Sequence, residues 1–203
     1  MLESGRDRAA PVTPHYVVAR QLLVSVSYAL LVVYAKQRSD SAIGSAMRWW
    51  LNESGPWVQT LLFFEAPPFS EASEEIGATV LAYRHVLVGS ICFALYSIVA
   101  SRRYWPAWTC ALSVKMERAG RSKAEFERLS EVGFHRMILG AIATTFLAIY
   151  LEPSEGPSTL RPFSSDWPIL QAPILIGVAT AFVLLAATFR RTTACLRRSR
   201  MHP

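Results

Sequence analysis

Arg20, Arg84, His85, His135 and Arg136 are the ionisable side chains that fall inside, or at the edges of, long apolar runs of this chain. In a membrane such residues carry chemistry: paired imidazoles ligate haem or a transition metal, and a single one can act as acid or base. Bis-imidazole ligation needs two histidines at one depth. His85 and His135 are expected near opposite ends of their runs, about 25–30 Å apart across a hydrocarbon layer of about 30 Å, and His15 and His202 lie in the tails. The spacing therefore supports no haem or metal site, and no cofactor is expected. Cys92, Cys110 and Cys195 have neither zinc-ligand spacing nor a disulfide pattern. None of the four apolar runs contains Asp or Glu, so the carboxylate relay common in ion-coupled pumps is missing. With no nucleophile beside a base and no phosphate loop, the reading leans away from an enzyme.

Depth decides what the five charged positions mean. A charge at the bilayer centre costs about 2.5–3.5 kcal/mol on insertion scales. Arg20 lies four residues from the inner edge of its run, close enough to snorkel, and His135 and Arg136 sit near an inner end. Arg84 stands eight residues past Ile76, about 12 Å along a helix. A lower-cost register begins the lipid-buried part near Tyr83, which brings Arg84 and His85 to the outer interface. Ile76–Ala82 is then expected to protrude, covered by Trp57–Phe64. In that register Glu65 and Arg84 reach a similar height, and Glu65, Arg84 and His85 form a candidate outer polar group with a Glu65–Arg84 salt bridge.

The elements that hold these residues follow from composition. The chain has 203 residues, 52% apolar and 18% charged, with a mean hydropathy of +0.25; soluble domains carry nearer 25% charged residues. The apolar residues fall into four blocks, which excludes a soluble enzyme, a disordered chain, a coiled coil and a disulfide scaffold. The blocks are about 16–35, 76–100, 132–151 and 169–189, each long enough at about 1.5 Å per residue to cross a membrane. Backbone amides in lipid must be satisfied within their own segment, so each block is expected to be a helix. The fold class is an all-α membrane protein, a single four-helix transmembrane domain over residues 1–203. The first run is too long for a signal-peptide core and no small-residue cleavage site follows it, so it is expected to be retained.

Basic residues orient the chain. Arg102, Arg103, Lys115, Arg118, Arg121, Lys123 and Arg128 lie in the 101–131 loop, and Arg190, Arg191, Arg197, Arg198 and Arg200 in the tail 190–203. Loops 36–75 and 152–168 hold few basic residues and most of the acidic ones. Positive residues stay inside, so both termini and the 101–131 loop are expected to be cytoplasmic or matrix-side. All six tryptophans lie outside the spans, as an interfacial belt requires.

The first outer loop should contain a short helix, Ala42–Leu51, capped by Ser41 or Asp40 and broken at Asn52–Pro56. Trp57–Ala66 then runs to Pro67-Pro68 and is too short to span. It suits a helix resting in the interface or re-entering it; alternatively Trp57, Leu61, Leu62, Phe63 and Phe64 dock a partner subunit. The inner loop opens on Tyr104–Trp108, an expected interfacial turn in which Trp105 and Trp108 offer a second docking surface. Gly120 should end one short helix, and Ser122 with Glu125 forms a capping box for the next, which is expected to run into span three with Glu125 and Arg128 paired. The arginine-rich tail suits anionic headgroups and also locks the orientation of span four. Small residues, with Gly140 and Thr144 on span three and Gly177 and Ala181 on span four, are candidates for the contact between those helices or with a partner.

These features point to a non-catalytic integral membrane subunit or accessory factor of a larger complex, in a bacterial inner membrane or an organellar inner membrane. The expected partners are membrane lipids and other membrane protein subunits; nucleic acid is not expected. The alternative is a small oligomeric channel, transporter or lipid-handling protein.

Overall fold

In a computed structural model, residues 12–38, 40–62, 74–151 and 166–198 are described, and among them there are helices and no strand. The order is α1 (Pro14–Gln37), α2 (Ala42–Leu62), α3 (Glu74–Ala100), a short 3₁₀ turn (Ser101–Arg103), α4 (Trp105–Arg118), α5 (Lys123–Tyr150) and α6 (Trp167–Arg198). Pro14–Gln37, Ala78–Arg103, Lys123–Tyr150 and Trp167–Arg198 are long and apolar enough to cross a membrane. All four contain the runs read from hydropathy, or nearly so, and α6 continues as helix through the basic stretch to Arg198. The all-helical expectation therefore holds.

Helices α1, α3 and α6 pack on one another, α2 lies against α1 and α3 at one end, and α4 lies against α6 at the other. Ala29, Val32, Tyr83, Val86, Leu87 and Ile169 form the core at the α2 end, and Val17, Trp105, Trp108 and Leu184 form a second one at the α4 end. Helix α5 stands outside, packed chiefly on α6. Its antiparallel register is set by two phenylalanines: Phe182 faces Gly140, and seven residues on, Phe189 faces Gly133. Removing the side chain at the glycine lets the ring lie on the α5 backbone, the usual way helices approach in lipid. Thr144 bonds the Gly140 carbonyl at 2.7 Å, and Thr180, Thr188 and Thr192 each bond the carbonyl four residues back. Their hydroxyls are thereby satisfied without leaving the helix.

Gly177 does not share that contact. A Cβ added there would meet Leu22 and Gln21 of α1 instead, and Ala181, one turn on, is half-buried. At 100° per residue, positions 177 and 184 of α6 point to α1 while 182 and 189 point to α5, so one apolar helix serves two neighbours. Gly177, expected at the contact with span three or with a partner, thus faces span one.

Helix α2 also departs from expectation. Ser41 caps it, accepting from the Gly44 amide at 3.0 Å, and a side chain at Gly44 would stand 1.9 Å from the Arg38 carbonyl oxygen. The helix then continues through Asn52–Pro56 to Leu62 with Pro56 inside it. A proline inside a helix costs about 3 kcal/mol. That cost is offset by tertiary burial: Leu51, Gly55 and Val58 form an inward stripe, and burying one large aliphatic side chain contributes about 1.5–3 kcal/mol. The break expected from Asn52–Pro56 does not occur.

At the other end, the chain turns earlier than expected, in the 3₁₀ segment Ser101–Arg103, and 105–108 are instead the first turn of α4, with Pro106 in it. Gly120, at φ +65°, ends that helix region. Ser122 accepts from the Glu125 amide at 3.2 Å, and α5 runs unbroken from Lys123. Glu125 pairs with Arg121 at 3.5 Å, one turn on the N-terminal side of the expected Arg128.

Candidate functional site

The polar residues of the bundle gather at its two ends. At the α2 end, Arg84 and His85 are buried, with 5% and 4% of their surface exposed. His85 lies between α3 and α2: its Nε2 is 3.1 Å from the Leu51 carbonyl oxygen and 3.5 Å from the Ser54 hydroxyl. A carbonyl oxygen only accepts, so Nε2 carries a proton and donates to it. The Ser54 hydroxyl donates to the Trp50 carbonyl. Each group is thus committed to the α2 backbone, and the imidazole is not placed to take the serine proton as acyl-transfer chemistry would require. His85 fastens α2 onto α3.

Among the described residues, part of the cover over α3 comes from earlier in α2 than expected. Gly55 lies on Leu81, where an added Cβ would be 3.4 Å from Cδ1, and Leu51 joins the core with Ala82 and Val86. Trp57 instead points away, 75% exposed. The unbroken helix is the reason, because it turns 51, 55 and 58 inward and 49, 50 and 57 outward. Leu61 and Leu62 are helical, but their side chains lie outside the described residues, as do Phe63, Phe64 and Glu65; the Glu65–Arg84 pair falls there too.

A polar clasp that sequence reasoning missed closes the same end. Lys36 of α1 reaches Asp166 at 3.2 Å and donates to the Thr79 hydroxyl of α3 at 2.8 Å, and Gln37 donates to the other Asp166 oxygen at 2.7 Å. Lys36 and Asp166 are mostly buried, with side chains 18% and 14% exposed. Both border apolar runs, which was the only signal, and 130 residues of sequence separate them. A second missed feature lies midway along α1. Gln21 and Ser25 are buried and hydrogen-bonded at 3.1 Å, while Gln21 Oε1 and the Ser90 hydroxyl meet no partner among the described residues. Their signal was the i, i+4 spacing on the face that also carries Ala29 and Val32.

At the α4 end, Trp105 and Trp108, expected to offer a docking surface, are buried within the chain, at 7% and 5% exposed. Trp108 Nε1 donates to the Val12 carbonyl, and Tyr104 stacks on its ring at 6.2 Å. The Arg191 guanidinium covers Trp105 at 3.8 Å. Arg20, His135 and Arg136 are exposed. His135 Nδ1 faces the Glu131 carbonyl oxygen at 2.8 Å within its own helix, at the end of the bundle opposite to His85.

Between α3 and α5, over α6, runs an apolar groove of about 370 Å³ lined by Ile91, Ala94, Ile98, Ala141, Phe146 and Ile176 among others. Among the described residues, no three His, Cys, Asp or Glu side chains stand close enough to hold a metal ion. Four helices of membrane-crossing length and apolarity fit a multi-pass membrane protein. No protein-family model matches the chain, and no curated protein and no solved structure is significantly similar to it.

Proposed function

We propose that this protein is a non-catalytic, multi-pass subunit or accessory factor of a larger membrane complex, with both termini and the α4 end on the cytoplasmic side of a bacterial inner membrane. The basic residues of 101–131 and 190–200 support that orientation. The observation that carries the role is α2. It is an amphipathic helix held rigidly to the bundle by Leu51, Gly55, Val58 and the His85 bond, and it presents Ile43, Trp49 and Trp57 outward at 58%, 64% and 75% exposure. Exposed aromatics on a fixed scaffold are the composition of protein contact sites. In the bilayer interface the same rings sit at headgroup height, beside the domains of any larger partner.

The experiment is extraction in mild detergent with a tagged full chain, followed by sizing and identification of co-purifying proteins. A stoichiometric foreign subunit that is lost on Trp49→Ala/Trp57→Ala, with the bundle still folded, is the expected result. A chain that purifies alone as a homo-oligomer refutes this role. It would favour the second reading, a small channel, transporter or lipid-handling protein, for which the apolar groove between α3 and α5 speaks. Orientation is read separately with the exposed cysteines Cys110 and Cys195. Both should react with a membrane-impermeant maleimide from the cytoplasmic side only, and a Trp57→Cys probe from the outside only.

A further inference from the structure

The arginines at the end of α6 are divided between two grooves of different character. On the α5 side, in a groove of about 410 Å³, Arg190 lies over the Phe134 ring at 5.7 Å and Arg197 pairs with Glu131. A carboxylate therefore neutralises part of that charge. On the α4 side, a groove of about 490 Å³ is lined by Trp105, Pro106, Thr109, Arg191, Cys195 and Arg198, with Ala194, and by no carboxylate. Arg191 and Arg198 are seven residues apart on one face of α6, about 10 Å along its axis. Arg191 is fixed by its stack on Trp105 at 3.8 Å, and a stacked guanidinium keeps its in-plane N–H donors for another ligand. The opposite wall is the first turn of α4, the end of a helix that favours an anion. Trp105 is 7% exposed, and its indole N–H meets no acceptor among the described residues.

We infer that the α4–α6 groove binds the phosphate of an anionic phospholipid, with Arg191 and Arg198 as its cationic contacts. Two guanidiniums with no neutralising carboxylate select a phosphate oxyanion. The groove also sits where the apolar length of α6 gives way to arginine, the level of the headgroups for a spanning helix, and its remaining wall atoms are largely apolar. This inference rests on the reading of these helices as membrane spans, though not on which side of the membrane the groove faces.

The test uses the full chain purified in detergent, stripped of lipid and titrated with phosphatidylglycerol, with bound lipid counted by native mass spectrometry. Arg191→Gln/Arg198→Gln should weaken binding about thirtyfold, and Arg198→Gln alone, a change at an exposed position, about fivefold. Arg190→Gln/Arg197→Gln removes the same charge from the other groove and should change binding less than about threefold. The inference is overturned by equal losses from the two pairs, which would mean diffuse attraction, or by equal binding of phosphatidylcholine. Binding of inorganic phosphate alone as tightly as the lipid would also overturn it, making free phosphate the ligand. Extraction of the chain from membranes by alkaline carbonate would refute the spanning reading itself, so the two failures are told apart.

Discussion

A methyl group added at Gly140 should separate α5 from α6, whereas the same methyl at Gly133 should not. At Gly140 an added Cβ would lie 3.1 and 3.2 Å from two atoms of the Phe182 ring; at Gly133 it would lie 3.8 Å from the Phe189 ring, an ordinary contact. Both changes gain helix propensity, about 1 kcal/mol for Gly to Ala, so the propensity term cancels between them. What remains is the overpacking at Gly140, about 1–3 kcal/mol. Gly133→Ala is thus expected to raise stability by up to about 1 kcal/mol, and Gly140→Ala to lie about 1–3 kcal/mol below it. The assay is unfolding in mixed micelles of increasing denaturing detergent, followed by circular dichroism and by tryptophan fluorescence. A double-mutant cycle completes it: in a Phe182→Ala background the Gly140→Ala penalty should vanish, giving a coupling of at least about 1 kcal/mol. If the two alanine variants agree to within about 0.5 kcal/mol, or the coupling is absent, the register in which Phe182 and Phe189 seat on Gly140 and Gly133 is wrong.

Lys36→Met should destabilise the bundle by about 1–2 kcal/mol, because it leaves the mostly buried Asp166 carboxylate and the Thr79 hydroxyl without the ammonium that joins them; no change in the same unfolding assay would remove the clasp. His85→Leu should raise hydrogen exchange at the amides of residues 51–58 by about fivefold, the equivalent of one lost hydrogen bond of about 1 kcal/mol. A change spread evenly over all helices, in place of one confined to α2, would contradict a local fastening. Trp108→Phe keeps an aromatic ring, though a smaller one, and removes the donor to the Val12 carbonyl. It should cost about 1 kcal/mol and speed proteolysis near residue 12, and an unaltered cleavage rate would show that the bond does not hold the start of α1.

The four long helices were legible because lipid-crossing runs need only length and apolarity, and because Ser122, Glu125 and Gly120 act within a few residues of where they stand. The Ser122 cap and the Gly120 stop appear as read, since a cap is a bond between near neighbours. Asn52-Glu53-Ser54-Gly55-Pro56 carries a strong local signal for a break, and α2 passes through it. The winning term there is burial of Leu51, Gly55 and Val58 on α1 and α3, partners that local sequence does not reveal. Trp105 and Trp108 illustrate the same limit from the other direction: tryptophan beside an apolar run reads as an exposed belt, yet both rings are buried in one cluster with Val17 and Leu184, and Arg191 covers Trp105.

Composition and patterning alone thus determine the solvent this chain is suited to, the number of its membrane-length helices and the cap that starts α5, since these depend on hydropathy summed over some twenty neighbours and on a cap one turn long. The tertiary arrangement alone decides which face of each helix is buried and which polar groups meet. Lys36 and Asp166, Ser130 and Thr193, and His85 and Leu51 are brought together by helix rotation and crossing. Rotation about an apolar helix axis leaves almost no trace in hydropathy when every face is greasy. It is set instead by where a glycine admits a neighbouring ring, as Gly140 admits Phe182, and that fit exists only between two helices already side by side.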